Sequence, residues 1–271
     1  MGTSSLQTDV AIDRHAKTLA KVSSLVDRQL SPLGLQAINA LDPRPGDAIL
    51  DVGCGAGQTL VQIANRVGSR GSVVGVDIAP VLLSIARERC ANDPRIMLKV
   101  ADAQTLGQPT ASIDGVFSRF GVMGFADPAI AFKNFRRLLK SGGRLAFCCW
   151  RTLEENELDR FPIEATGREN EVRATPFSFA DPNYVRELLE GAGFESVAFE
   201  AYDERVSCGS LNETVEVLLS VGALGQIVRE KPSLRSEVEP LLREALLARA
   251  NPSTVELAAA VWIVSALAVD P

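Results

Sequence analysis

Residues 49–58 read Ile49-Leu50-Asp51-Val52-Gly53-Cys54-Gly55-Ala56-Gly57-Gln58, a short apolar run that ends on an acid and opens into alternate glycines. Ala48 to Val52 has the length of a buried strand, and Leu60, Ile63, Ala64 and Val67 recur at the i, i+3, i+4, i+7 spacing of one helix face. The glycines therefore occupy a strand-to-helix turn. Without Cβ atoms the backbone there turns tightly and approaches a ligand closely, and the N–H groups that open the helix favour a carboxylate or phosphate.

Working outward, the same alternation continues on both sides. Apolar residues recur at helical spacing from Val22 to Leu41, after about 20 polar and weakly patterned residues, and Arg44-Pro45-Gly46-Asp47 supplies a turn. Downstream come apolar runs at Ser72 to Asp77, Ile96 to Val100, Asp114 to Ser118 and Arg144 to Trp150, with amphipathic stretches between them. Pro128 suits a first helical turn, and Ser141-Gly142-Gly143 suits the end of a helix that begins there. Residues 151–180 break the rhythm. Asp181-Pro182 then reads as N-cap and N1 of a helix that ends at Gly191-Ala192-Gly193, followed by a strand at Phe194 to Ala201. Two helices are predicted between Ser210 and Ala250, the first opened by a Ser210-x-x-Glu213 capping box and the second stopped by Asn251-Pro252, and Leu257 to Val269 reads as a final buried strand. Strands alternating with helices at this spacing predict an α/β fold with a doubly wound, largely parallel sheet covered on both faces.

Composition narrows the function. The 271 residues carry a net charge of −6 and are 46% hydrophobic, a globular composition with no cation excess to track a phosphate backbone, so nucleic acid is not an expected partner. The single histidine, His15, excludes multi-histidine metal sites, and no metal is expected. Cys54, Cys90, Cys148, Cys149 and Cys208 form an odd set without C-x-x-C spacing, which reads as reduced, mostly buried thiols. MGTSSLQTDV lacks the pattern of a secretory signal, and Leu257 to Val269 is shorter than the roughly 20 residues of a membrane span. These features predict a cytoplasmic protein without a membrane partner.

Three acids follow the strands. The spacing D-x-G-x-G-x-G differs from the dinucleotide pattern G-x-G-x-x-G, and Asp51 would repel a pyrophosphate but suit a cationic amino group such as that of S-adenosylmethionine. Asp77, about 20 residues after Gly57, suits a pair of ribose hydroxyls. Asp102 suits an adenine amine, with the Ala103 N–H toward a ring nitrogen and Ile78 against the ring face. Each has a structural alternative: helix–strand packing for Gly53, Gly55 and Gly57, an N-cap for Asp77, and a cap of the next short helix for Asp102.

With this motif order, continued by Ser118-Arg119-Phe120-Gly121-Val122-Met123 and by the stretch from Phe132 to Trp150, in which Ser141 replaces a common proline, the chain resembles the class I S-adenosylmethionine-dependent methyltransferases. The resemblance is strongest over residues 45–150, and the nearest group is the bacterial small-molecule enzymes related to the ubiquinone and menaquinone methyltransferases. It implies a seven-stranded Rossmann-like sheet of order 3-2-1-4-5-7-6 with the last strand antiparallel, and one methyltransferase domain over residues 1–271. Within that domain, residues 1–44 form a helical lid, 45–150 the cofactor core, and 151–180 and 205–254 the insertions that choose the substrate. It also implies S-adenosyl-L-methionine held by Asp51, Gly53, Gly55, Gly57, Gln58, Asp77, Ile78, Asp102, Ala103 and Ser118, a small-molecule acceptor such as a quinone or phenol, and a monomer or homodimer. Phe120, Phe125 and Trp150 are candidates for an apolar wall, with core packing as the alternative. No dedicated base is evident, and His15 and Arg119 are the candidates for a catalytic role. The Asn/Asp-Pro-Pro-aromatic signature of enzymes that methylate nucleic-acid amines is absent after the fourth strand. Two other functions compete: a nicotinamide-dependent oxidoreductase, opposed by Asp51 and Asp102, and a methyltransferase-like subunit without turnover.

Overall fold

A computed structural model describes residues 2–249 and 253–269. Strands β1 (Ala48–Val52), β2 (Ser72–Asp77), β3 (Ile96–Val100), β4 (Ile113–Arg119), β5 (Leu139–Trp150), β6 (Glu195–Gly209) and β7 (Val255–Ala268) form one sheet in the order β3-β2-β1-β4-β5-β7-β6. The ladders β1 with β2 and β4, β2 with β3, and β4 with β5 are parallel, and β7 runs antiparallel to β5, as expected from the sequence. The helices are α1 (Gly2–Leu41), α2 (Gln58–Val67), α3 (Pro80–Cys90), α4 (Pro128–Leu138), α5 (Glu157–Thr166), α6 (Pro182–Gly191), α7 (Leu211–Ser220), α8 (Gly222–Glu230) and α9 (Arg235–Leu247).

Several elements differ from the periodicity reading, each for a physical reason. Helix α1 begins about twenty residues earlier than predicted. Over residues 10–21, among the described side chains, the helix buries only Ala16, so no apolar stripe marks that stretch. Helix α5 lies in the stretch read as irregular, because a buried Asp159 and Pro162 stand among its apolar positions Leu158 and Ile163 and break the period. Three helices, not two, fill the segment after Ser210, and the capping box at Ser210 and Glu213 is formed. Helix α4 stops at Leu138, and Ser141-Gly142-Gly143 lies within β5 next to a register shift, with Gly142 at φ +72°. Strand β6 extends to Gly209, well past Ala201. Asn251-Pro252 lies outside the described residues.

The chain divides into two units, one of Met1–Pro32, Thr152–Pro176 and Asp203–Ala260, the other of Leu33–Arg151, Phe177–Tyr202 and Val261–Pro271. The second unit holds a core in which Phe132, Phe135, Phe147 and Phe179 are fully buried with Leu50, Val116 and Leu145. Gly115 in β4 lets Leu41 of α1 approach, since a Cβ there would stand 3.2 Å from Leu41 Cδ1 and 2.8 Å from Ile49 Cδ1. In the first unit Val22 and Val26 pack with Cys208 and Val217. The buried Asn156 accepts from Ala260 N at 2.8 Å and donates to Thr152 O at 3.0 Å, tying α5 to β7. Among the described residues no helix is long and apolar enough to cross a membrane. All five cysteines are free and buried.

Candidate functional site

The carboxyl ends of β1, β2 and β4 meet at the glycine turn. Gly53 N and Cys54 N both donate to Val76 O (2.9 and 3.1 Å), and Gly57 N donates to Cys54 O (2.9 Å), so the turn is held by backbone bonds of its own and of β2. Gly53, Gly55 and Gly57 all have positive φ, at +68°, +53° and +84°, which explains glycine at each. Their surroundings differ. A Cβ on Gly53 would stand 2.9 Å from Gly121 Cα, and one on Gly57 would stand 2.9 Å from Ala86 Cβ, so these two serve close packing. A Cβ on Gly55 meets nothing within 4 Å, leaving open space over the middle of the turn.

Asp51, in β1 just ahead of this turn, is buried. Its Oδ2 accepts from the Thr59 hydroxyl at 2.5 Å, while Oδ1, also buried, has no hydrogen-bond partner among the described residues. Burial pushes the carboxyl up to about 7; Thr59 and Arg119 oppose the rise and Asp77 adds to it. An unmatched carboxylate oxygen in a dry site is costly. Cationic N–H groups would satisfy it best.

Asp77 ends β2 and braces the turn, its Oδ2 accepting from Gly55 N at 2.9 Å and its Oδ1 from Ala79 N at 2.8 Å. Burial raises its carboxyl above the ordinary value, against the pull of the Ala79, Gly55 and Ile78 N–H groups. Ile78 is 51% exposed, an apolar side chain left in solvent beside an acid. Asp102 is exposed and caps the short helical turn that follows: Oδ1 accepts from Gln104 N at 2.8 Å, and Gln104 Nε2 reaches Oδ2 at 2.9 Å. Gln104 Oε1 in turn accepts from Asp127 N at 2.9 Å, so this amide links the end of β3 to the cap of α4. Ala103 is buried.

At the end of β4, Ser118 is fully buried; its hydroxyl donates to Val52 O at 2.8 Å and accepts from Gly121 N at 3.1 Å, locking β4 to β1. Arg119 Nη1 donates to Gln58 Oε1 at 2.5 Å, and its stem lies over Gly34, where a Cβ would be 2.8 Å from Arg119 Cδ. Phe120 holds φ +62°, a conformation that costs a large non-glycine residue about 1–3 kcal/mol. Its ring stacks on Trp150 with centroids 4.1 Å apart and planes 20° apart. Phe125, by contrast, packs against the core with Phe135.

His15 belongs to the other unit. It stands on an exposed turn of α1, yet surrounding atoms crowd its ring, and that crowding with the cationic Arg229 pushes the imidazole down to about 4. A group with that value accepts a proton poorly at neutral pH. The Cys54 thiol is pushed up by burial and by Asp51 and Asp77, so it is inert at neutral pH. Among the described residues no cluster of three His, Cys, Asp or Glu side chains is arranged to hold a metal ion.

The sequence reading missed Thr59, which meets Asp51 because the turn folds α2 back over β1, and Gly121, whose backbone approaches Gly53. Their signals were faint: a hydroxyl eight residues after the acid, and a glycine in the segment after β4.

Residues 49–143 match the family model described as a methyltransferase domain. The chain is similar to aklanonic acid methyltransferase of Streptomyces sp. (37% identity over 119 residues, covering 43% of this chain and 54% of that protein). It is similar as well to demethylmenaquinone methyltransferase of Symbiobacterium thermophilum (30% identity over 182 residues, covering 58% of this chain and 72% of that protein). The chain thus spans about half the length of the first of these curated relatives. Among solved structures, phosphoethanolamine N-methyltransferase 2 of Haemonchus contortus bound to S-adenosyl-L-methionine superposes with a TM-score of 0.56 at 18% identity, covering 88% of this chain and 53% of that one.

Proposed function

The chain belongs to the class I S-adenosylmethionine-dependent methyltransferases, and we propose that it transfers a methyl group from S-adenosylmethionine to a small-molecule acceptor. The observation that carries this reading is the buried, unpartnered Oδ1 of Asp51 near the end of β1, with open space at Gly55 in the turn that follows. Those two features fit a ligand with a cationic amino group, and a pyrophosphate would meet repulsion at the same place.

In this reading Asp51 takes the ammonium of the cofactor's methionine portion, and Gly55 leaves room for its chain. Gly53 and Gly57 hold the turn in shape. Asp77 takes the ribose hydroxyls while keeping Gly55 N, Ile78 covers the adenine face, and Asp102 with Ala103 recognises the adenine edge. Gln58 is positioned by Arg119, and Ser118 braces the loop from below. The bound cofactor supplies a methyl group already activated by its sulfonium. What remains for the chain is to orient an acceptor and exclude water, and orientation alone is worth roughly 7–11 kcal/mol in well-aligned cases. No strong base is required of His15, which fits its depressed value.

The relatives named for aklanonic acid and demethylmenaquinone support a cyclic organic acceptor. Acceptor choice is assigned to residues outside the matched 49–143, in the segments 151–180 and 205–254. The net charge of −6 supports an acceptor other than nucleic acid, and five free buried thiols support a reducing, cytoplasmic setting.

Calorimetry tests the reading. S-adenosylhomocysteine is expected to bind with micromolar affinity and NAD not at all, and Asp77→Ala should weaken binding by about 100-fold, since a carboxylate with several bonds is lost. Clear binding of NAD with no heat from S-adenosylhomocysteine would overturn it.

A further inference from the structure

Phe120 and Trp150 stand at the carboxyl ends of the adjacent strands β4 and β5, where open α/β sheets receive ligands. Both rings are half-buried, and neither belongs to the phenylalanine-rich core that includes Phe125. They stack near-parallel, with 4.1 Å between centroids and 20° between planes, and each residue keeps part of its surface exposed. Four non-glycine residues among those described have positive φ, namely Asp42, Ala111, Phe120 and Ser196, and Phe120 alone carries a large ring there. That backbone is fixed from both sides: Phe120 N donates to Cys148 O at 3.1 Å, and the next residue, Gly121, is pressed against Gly53 of the glycine turn. Strain of this kind persists where surrounding structure enforces it, and here its effect is to hold one ring against another beside the loop assigned to the cofactor.

We propose that the Phe120–Trp150 pair is the specificity-determining platform for the acceptor, selecting a flat, fused aromatic or quinonoid ring and rejecting puckered or open-chain molecules of the same size. This deepens the methyltransferase reading and rests on it. Offset stacking on a pre-formed pair rewards a planar partner, and a saturated ring of equal carbon count contacts such a surface only at its raised atoms.

The test uses the full chain and two probes that share one carbon skeleton, 2-naphthol and trans-2-decalol, titrated by calorimetry with and without S-adenosylhomocysteine. The wild-type protein should bind naphthol at least tenfold more tightly than decalol. Phe120→Leu and Trp150→Leu should bring that ratio within threefold while leaving S-adenosylhomocysteine affinity within twofold, and Trp150→Phe, which keeps a flat ring, should restore it. Phe120→Gly adopts φ +62° without strain, and S-adenosylhomocysteine affinity held within twofold in that variant shows that a collapsed ratio does not reflect misfolding. A wild-type ratio near one, or a ratio that survives in the leucine and glycine variants, overturns the platform. Absence of S-adenosylhomocysteine binding by the wild type counts instead against the cofactor reading, since the ratio is also measured without it.

Discussion

Asp51 and Asp159 are both buried carboxylates, one in each unit of the chain, and burial raises both above the ordinary range. Asp159 meets the first turn of α8: its Oδ1 accepts from Ala223 N at 2.7 Å, and a Cβ on the preceding Gly222 would stand 2.6 Å from that oxygen. Here a helix N-terminus supplies the positive end that a buried acid needs. Asp51, in β1, meets the first turn of α2 only through the Thr59 hydroxyl and leaves Oδ1 unmatched. Identical side chains in equally dry places thus do different things. Asp159 is met by a helix N-terminus of its own fold, and the unmatched oxygen of Asp51 supports the ligand role proposed for it.

The contrast is tested most strongly by removing each charge. Asp51→Asn is expected to weaken S-adenosylhomocysteine binding by about 30-fold, the scale of one charge-assisted bond, while Asp159→Asn leaves it within about twofold, because no ligand role is assigned there. Equal losses in calorimetry would dissolve the distinction.

The pH dependence follows from the same group. With the Asp51 carboxyl near 7, its ionised fraction climbs steeply between pH 6 and pH 8. Binding of S-adenosylhomocysteine through its ammonium group should strengthen by about tenfold over that window, and stay flat in Asp51→Asn. Stability runs the other way. A folded value raised from the ordinary 3.8 means that the ligand-free fold holds a proton the unfolded chain has released, so this contribution is present at low pH and lost as pH rises through about 7. Ligand-free Asp51→Asn should accordingly melt well above the wild type at pH 8, with the gap narrowing steadily as pH falls and closing only near pH 4. A pH-independent difference would contradict that assignment.

The smallest effects compare two glycines. Gly55→Ala should cost about 1 kcal/mol of stability from its left-handed backbone and weaken S-adenosylhomocysteine by several-fold, because its Cβ enters open space above the turn. Gly222→Ala, also at positive φ but pressed on Asp159, should cost about 2 kcal/mol in denaturant titration and leave affinity unchanged.

How much of this was legible beforehand varies with the kind of information. The strands β1 to β5 and β7 announce themselves as apolar runs between turns, and the sheet order came from the family resemblance that their motifs carry. Residues 10–21 of α1 did not, because burial of Ala16 alone among them imprints no period. Helix α5 hid behind Asp159, whose polarity is explained only by the distant Ala223 N–H. At the site, the acids and glycines could be named from spacing, but not the division of labour among them. That Gly55 faces space while Gly57 faces Ala86, or that Asp102 is engaged by Gln104, depends on contacts between segments far apart or on side-chain conformation.

Cys54 carries one more consequence. Its sulfur is sealed within the glycine turn, and a Cβ on Gly75 would stand 2.9 Å from it. Burial and two neighbouring acids keep it protonated, so oxidants and alkylating reagents find no thiolate while the turn is closed. The chain therefore carries a built-in chemical clock in its glycine turn: the rate at which Cys54 itself becomes modifiable reports how often the turn opens, without any residue being substituted.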